Sequence, residues 1–183
     1  MHTLHLFLYQ SQAHQEWDLD NPDDIHDLYQ DVTLDVQDLA DWSDWFDDGP
    51  GRWADEWPRP LEYRKDQERF LEALRKVESL QREAFESQIK YLALQLDLPE
   101  ADWAKWTLIG QVLFEKLAET RPARGGHTFW AARRLMEMAY GDYTPESYFY
   151  DLVNHQTSVP DEKMLDDLAK QGPLYLVPID LHY

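Results

Sequence analysis

The hydrophobic pattern at both ends of the chain is that of a β-strand. Residues 3–9 and 174–183 are rich in leucine, tyrosine and other side chains that pack well on a pleated surface. An unpaired strand leaves a row of backbone donors and acceptors open, so we expect the two ends of the chain to meet in a small sheet. Pro178 has no amide proton to donate, which predicts that the C-terminal strand lies at an edge or is bulged there.

Between these ends the apolar side chains mostly recur three and four positions apart, which is the spacing of amphipathic helices. The longest such run, residues 62–96, contains no glycine or proline, and Pro99 ends it. Capping and terminating residues, such as Thr144 and Pro145 at a helix start and Gly141 at a helix end, predict further helices over residues 99–117, 128–139, 144–155 and 158–172. The sequence therefore predicts an α+β fold that is predominantly helical, a helical bundle with a small sheet formed by the N- and C-terminal strands.

Composition divides the chain into three parts within one expected domain, residues 1–183. These parts are an acidic, tryptophan-rich part at 1–62, a helical scaffold at 63–173 and a C-terminal strand at 174–183. No apolar run reaches the roughly 18 residues of a transmembrane helix. The first 15 residues carry no Lys or Arg, which argues against a signal peptide with a basic start. Because cysteine is also absent, we expect a cytoplasmic protein.

The negative charge is concentrated in the first third of the chain. The net charge is -19, and residues 1–62 hold 16 acids against two arginines, a balance of -14. Residues 63–139 balance at +1 and residues 140–183 at -6. Nucleic acids and anionic membranes both bind through Lys and Arg, so this distribution argues against either as a direct partner. A localised acidic segment points instead to a basic protein surface.

The acidic segment is expected to form an amphipathic helix. Asn21 and Pro22 are typical of a helix start, and the apolar and acidic side chains that follow fall on neighbouring faces of a helical wheel. Residues 32–36 also alternate like a strand, but the helix accounts for more of the pattern. The acidic face is made of Asp24, Asp27, Asp31, Asp35 and Asp38.

Nothing within residues 1–50 neutralises this stripe, because that stretch contains neither Lys nor Arg. Like charges at i,i+4 repel by about 0.2–0.5 kcal/mol per pair, so a role other than stability is indicated. A row of carboxylates resembles a row of DNA phosphates, and tryptophan rings can stack on arginine. The alternative for the aspartates is an acidic face that only contacts solvent. The alternative for the tryptophans is a place in the core or in a lid under that face. The predicted partner-binding set also includes Asp41, Asp44, Asp47, Asp48, Trp42 and Trp45.

No motif in the sequence predicts catalysis. The seven histidines show no metal-ligand spacing, no serine lies in Gly-x-Ser-x-Gly, and residues 121–127 lack the Lys and Ser/Thr of a phosphate-binding loop. We therefore predict no catalytic residue, no metal and no cofactor, and a protein that is not an enzyme. Two alternatives stay open: a carboxylate-based metal-dependent hydrolase, and a structural subunit of a larger complex that uses helix 62–96 as its contact surface.

The function expected from the sequence is that of an acidic binding or inhibitor protein. It would occupy the basic, nucleic-acid-binding surface of a partner, as immunity proteins, antitoxins and phage anti-defence proteins of the DNA-mimic type do. The partner would be a nucleic-acid-binding enzyme or a toxin, with electrostatic steering followed by steric block. A homodimer also stays open.

Overall fold

The computed structural model describes residues 2–11, 15–95 and 126–183. Five strands in these residues form one mixed sheet, and helices pack on both of its faces. The strands are β1 (His2–Tyr9), β2 (Trp45–Phe46), β3 (Leu61–Glu62), β4 (Phe149–Asp151) and β5 (Tyr175–His182). The described α-helices are α1 (Pro22–Leu39), α2 (Gln67–Gln95), α3 (His127–Tyr140) and α4 (Glu162–Ala169), with a short 3-10 turn at Gly51–Trp53.

The two ends of the chain form the centre of the sheet. Strands β1 and β5 pair antiparallel over their full length, from His2 opposite His182 to Tyr9 opposite Tyr175. Strand β4 pairs parallel with β1, and the short strands β2 and β3 pair with opposite ends of β5. The expected α+β class and the sheet formed by the terminal strands are confirmed, and the sheet is larger than expected because three short strands join it.

The position of Pro178 differs from the expectation, because β5 is an inner strand. Pro178 lies opposite Leu6 of β1, and the amide of Leu6 donates to the carbonyl of Tyr148 on the other side. Leu6 and Pro178 therefore form a non-hydrogen-bonded pair, in which the proline nitrogen points away from β1. It faces the stretch between β3, which pairs with residues 175–176, and β2, which pairs with residues 181–182. An inner strand tolerates this proline because no ladder bond is required there.

Alternation along the central strands gives the sheet two buried faces. On one face Leu6, Leu8 and Leu176 pack against side chains of α2 and α4. On the opposite face Phe7 and Val177 pack against α1. Three layers result, with the sheet in the middle and helices on each side.

A helical bundle is supported only loosely. The main contact between helices in the described part of the chain is that of α2 with α3, through Ile89, Leu92 and Ala131. The other described helices use their apolar faces mainly to cover the sheet. The bundle expectation arose because hydrophobic spacing identifies a helix without identifying the surface that covers it.

The helix predicted at residues 144–155 is wrong. The structure has strand β4 there, paired with β1, and Tyr148 and His155 adopt positive φ angles of 53° and 54°, which interrupt a helix on both sides. The Thr-Pro start signal instead begins a turn, in which the amide of Thr144 donates to Ser147 Oγ at 2.9 Å. Parallel pairing with a distant strand overrides the local signal.

The remaining helix predictions agree with the structure apart from their ends. Helix α2 begins at Gln67 rather than at residue 62, because residues 61–62 pair with β5 as β3. Helix α3 covers the predicted range 128–139, with Gly126 as its N-cap and Gly141 in the left-handed conformation at its end. Helix α4 is shorter than predicted and is capped by Asp161. The prediction for residues 99–117 lies outside the described residues.

The packing of α1 on the sheet predicts that two of its leucines contribute very differently to the stability of the protein. Leu28 is fully buried, whereas Leu34 is 65% exposed. We expect Leu28→Ala to lower the free energy of unfolding by about 2–5 kcal/mol, because it leaves a cavity against the sheet. Leu34→Ala is the matched control and should change it by less than about 0.5 kcal/mol. Urea unfolding measures both, and equal effects would contradict the orientation of α1.

Candidate functional site

Helix α1 carries the acidic stripe, and its first residues explain why it forms. The side chain of Asn21 accepts a hydrogen bond from the amide of Asp23 at 3.1 Å, and Pro22 occupies the first turn. Acidic side chains in that turn lie at the positive end of the helix dipole. The helix continues to Leu39, so residues 31–37 are helical and the strand alternative is wrong.

The five stripe aspartates do not have the same environment. Asp27, Asp31, Asp35 and Asp38 are exposed, whereas Asp24 is half-buried. The carboxylate of Asp24 accepts hydrogen bonds at 2.8 Å from the amide of residue 18 and from the Asn21 side chain. Asp24 therefore holds the turn that precedes α1, and the continuous exposed row begins at Asp27.

A tyrosine from the sheet holds Asp31 in place. The hydroxyl of Tyr9, at the end of β1, donates a hydrogen bond to the carboxylate of Asp31. Burial, together with the adjacent Asp31, raises the pKa of Tyr9 far above its usual value, so the phenol keeps its proton as the donor. This bond connects the middle of the stripe to the central strand.

Mutual repulsion within the stripe is evident at Asp35. Partial burial raises the pKa of the Asp35 carboxyl, the negative charges of Asp31 and Asp38 raise it further, and His155 opposes them. The charges of Asp31 and Asp38 are thus close enough to disfavour ionisation of the Asp35 carboxyl. The free protein keeps this row at an electrostatic cost.

The two predicted tryptophan anchors lie in different environments. Trp45 of β2 is 43% exposed, and its ring stacks on His182 with centroids 5.2 Å apart. Trp42 is only partly exposed, contacts the rings of His5 and Tyr143, and packs against the core beneath α1. Trp45 therefore exposes aromatic surface to solvent, whereas most of Trp42 belongs to the core.

The acidic residues after α1 are attached to the end of β5. The amide of Asp44 donates to the carbonyl of His182 at 2.9 Å, and its carboxylate is 2.6 Å from His182 Nδ1. This hydrogen bond with His182 lowers the pKa of Asp44. The amide of Asp47 donates to the carbonyl of Asp180 at 3.0 Å, while Asp41 and Asp48 are exposed.

A His–Asp pair at the end of the sheet was missed by the sequence reasoning. His2 Nδ1 lies 3.2 Å from both carboxylate oxygens of Asp180, which is 1% exposed. The rings of His2 and His182 are 4.8 Å apart, because these residues are opposite each other in the β1–β5 pairing. The strand register is the signal that places them together. A side chain at Gly51, whose φ is 50°, would collide with the carboxylate of Asp180.

His5 is a buried histidine on the other face of β1. Its side chain is fully buried, and burial lowers its pKa from the usual 6.5 to about 3. The Tyr143 hydroxyl lies 2.6 Å from His5 Nδ1, and burial raises the pKa of Tyr143 well above its usual value. The neutral imidazole therefore accepts a hydrogen bond from the protonated phenol, and the pair supports Trp42 from beneath.

Comparison with known proteins gives no further indication of what this site does. No family model matches the chain, and neither a curated protein nor a solved structure matches it. Residues 2–11, 15–95 and 126–183 contain no group of three or more acidic or histidine side chains placed to hold a metal ion. No helix in those same ranges is long and apolar enough to cross a membrane.

Repulsion in the stripe predicts that Asp35→Asn stabilises the protein. Because folding raises the pKa of Asp35, stability falls as the pH rises through its titration. We expect the variant to gain about 0.2–0.5 kcal/mol at neutral pH, and the gain to shrink in high salt and disappear in acid. Asp55→Asn, an exposed site outside α1, is the control for net charge. An equal gain in both variants would contradict the local repulsion.

Burial of His5 predicts a loss of stability in acid. The unfolded chain binds a proton near pH 6.5, whereas folded His5 does so only near pH 3, so stability is lost as the pH falls between these values. We expect a contribution of up to about 1.4 kcal/mol per pH unit, absent in His5→Gln. The His5 imidazole resonances should also stay those of the neutral ring down to about pH 4. Titration near pH 6.5 would contradict the prediction.

Proposed function

We propose that this protein binds the basic, nucleic-acid-binding surface of a partner protein and inhibits it by blocking that surface. The mechanism requires no chemistry, only electrostatic steering and steric exclusion. Immunity proteins, antitoxins and phage anti-defence proteins that mimic DNA are the functional class. We expect the two proteins to meet in the cytoplasm.

The observation that carries the proposal is the exposed acidic row on α1, which makes no salt bridge with a Lys or Arg in the described part of the chain. Asp27 and Asp38 mark its ends, and at 1.5 Å per residue they lie roughly 16 Å apart along the helix axis. Helix α1 contains no Lys or Arg that would neutralise the row. One strand of duplex DNA presents a phosphate about every 3.4 Å of its axis, so the row offers a basic groove fewer charges over a similar length.

The raised pKa of Asp35 supports the same function. A carboxylate crowded by like charges gains when a cationic surface approaches, because each Lys or Arg then stabilises more than one neighbour. A basic partner thus relieves a cost that the free protein bears. The long-range field of a chain with a net charge of -19 also accelerates the encounter with such a partner.

An exposed leucine adds an apolar contact to the charged face. Leu34 is 65% exposed, and its neighbours three and four positions away on the helix include Asp31 and Asp38. The buried centre of a protein interface is more apolar than its polar rim, so Leu34 suits a central contact within the charged face. Trp45 offers a second such contact, on the attached segment after α1.

The proposal is tested by reversing the charge of three exposed stripe residues. Asp27→Lys, Asp35→Lys and Asp38→Lys are combined in one variant, which leaves the Tyr9–Asp31 bond intact. Immobilised protein is incubated with extract of the native host at low and at high salt, and the retained proteins are identified. We expect the original chain to retain a basic nucleic-acid-binding protein, which added DNA displaces, and the variant to lose at least about 90% of it because like charges now meet.

The matched control applies the same change of charge to the exposed face of α2. Glu72→Lys, Glu78→Lys and Glu83→Lys lie on exposed positions of that helix, and this variant should retain the partner. Circular dichroism confirms that both variants fold. Retention of the partner by the α1 variant would overturn the proposal. Loss of the partner in the α2 variant alone would favour the structural-subunit alternative.

A further inference from the structure

A surface cavity lies apart from the exposed row of α1 and has a different chemical character. It has a volume of about 500 Å³ and opens between the end of α1, one side of α3 and the residues after Gly141. This size is within the range of small-molecule sites, roughly 300–1,000 Å³. Three aromatic side chains contribute to its wall: Trp42, Trp130 and Tyr143.

Two arginines also line this cavity, but acidic neighbours match their charge. Arg133 Nε lies 2.7 Å from Glu137, and Arg134 lies 3.4 Å from both Glu137 and Glu146. Two guanidinium groups and two carboxylates thus form one neutral group at the rim. These arginines do not make the cavity a site for anions.

The remaining charge of the cavity is negative. Asp41 and Asp142 line it and are exposed, and neither makes an ion pair with another residue in the described part of the chain. Carboxylates beside aromatic ring faces attract organic cations by both Coulomb and cation–π interactions. The cavity is therefore complementary to a cation.

Contacts within the protein hold the aromatic walls of the cavity in place. The rings of Trp42 and Tyr143 form a corner, with centroids 5.5 Å apart and planes at 53°, and the bond between Tyr143 and His5 holds it from behind. Trp130 is half exposed and already has the guanidinium of Arg133 over its ring, 5.3 Å from the centroid. The Trp130 ring thus already contacts a guanidinium group that belongs to the protein, that of Arg133.

We propose that this cavity binds a guanidinium group, carried by a free small molecule or by an arginine side chain of a protein. Guanidinium is favoured over ammonium because it is flat, stacks on aromatic rings and donates paired hydrogen bonds to carboxylates. Asp41 and Trp42 also belong to the proposed inhibitory surface, but the cavity does not depend on the α1 row.

The probe that tests the proposal is N-acetyl-arginine amide, titrated by calorimetry into the full chain. N-acetyl-citrulline amide is the matched ligand, since it replaces guanidinium by a neutral urea of similar shape. We expect saturable binding of the arginine compound and at least about tenfold weaker binding of the citrulline compound. Equal affinities, or no saturable binding of the arginine compound, would overturn the proposal.

Variants locate the binding in the cavity. Trp130→Ala removes an exposed wall, and Asp41→Asn with Asp142→Asn removes the two lining carboxylates that make no ion pair in the described part of the chain. Each should weaken binding about tenfold, while Trp130→Phe should keep most of it. Asp20→Asn with Asp55→Asn removes the same charge at exposed positions elsewhere and should change affinity less than twofold, roughly. A similar loss of affinity in this control, or no loss of affinity in the cavity variants, would contradict the assignment of the binding site to this cavity.

A short peptide distinguishes the two sources of the group. Acetyl-Gly-Arg-Gly amide binding at least about tenfold more tightly than N-acetyl-arginine amide supports an arginine side chain of a protein, because the flanking backbone adds contacts. Equal affinity supports a small molecule. The triple Lys variant of α1 should bind the arginine compound unchanged, so failure of the inhibitory proposal and failure of this one give different results.

Discussion

Pairing of the first and last strands is the interaction on which the rest of this structure depends. Eight residues of β1 pair with eight of β5, and both faces of this pair are buried. Each layer of helices covers one face, and the short strands only extend the edges. Because almost the whole chain separates β1 from β5, pairing them carries an entropic cost of loop closure. The α1 helix of the acidic segment packs on this strand pair through the side that includes Phe7 and Val177.

Hydrophobic burial holds α1 in a conformation that its charges oppose. Leu28, Val32 and Val36 are fully buried against the sheet, and each such side chain contributes about 1.5–3 kcal/mol. Repulsion between neighbouring aspartates costs only about 0.2–0.5 kcal/mol per pair. The apolar face therefore outweighs the acidic one, and the bond from Tyr9 to Asp31 fixes the orientation of the helix. The acidic row stays exposed on the surface because the opposite face of α1 is buried against the sheet.

The acidic row and the cavity present negative charge in two different forms. Carboxylates on α1 are spread along a convex helix, which suits several cations on a wide basic surface. Asp41 and Asp142 stand beside aromatic rings in a concave site, which suits a single flat cation. The loop between α1 and β2 contributes Asp41 and Trp42 to the cavity, and the hydrogen bonds of Asp44 with His182 hold this loop to the end of β5.

The sequence by itself determined the local features that depend on near neighbours. Asn21 and Pro22 predicted the start of α1, the spacing of its apolar and acidic residues predicted both faces, and Gly141 predicted the end of α3. These signals act within one or two turns, so a single stretch of sequence contains them.

Only the tertiary structure decided the features that require distant partners. Residues 149–151 became a strand despite a helix signal, because β1 offered them a parallel edge. Pro178 entered an inner strand because its nitrogen faces a stretch without a ladder partner. The pairing of β2 with β5 leaves Trp45 exposed while Trp42 packs against the core. The register of β1 and β5 places His2 beside Asp180. Register and layer packing are long-range contacts, and no local pattern specifies which distant surface will cover a given face.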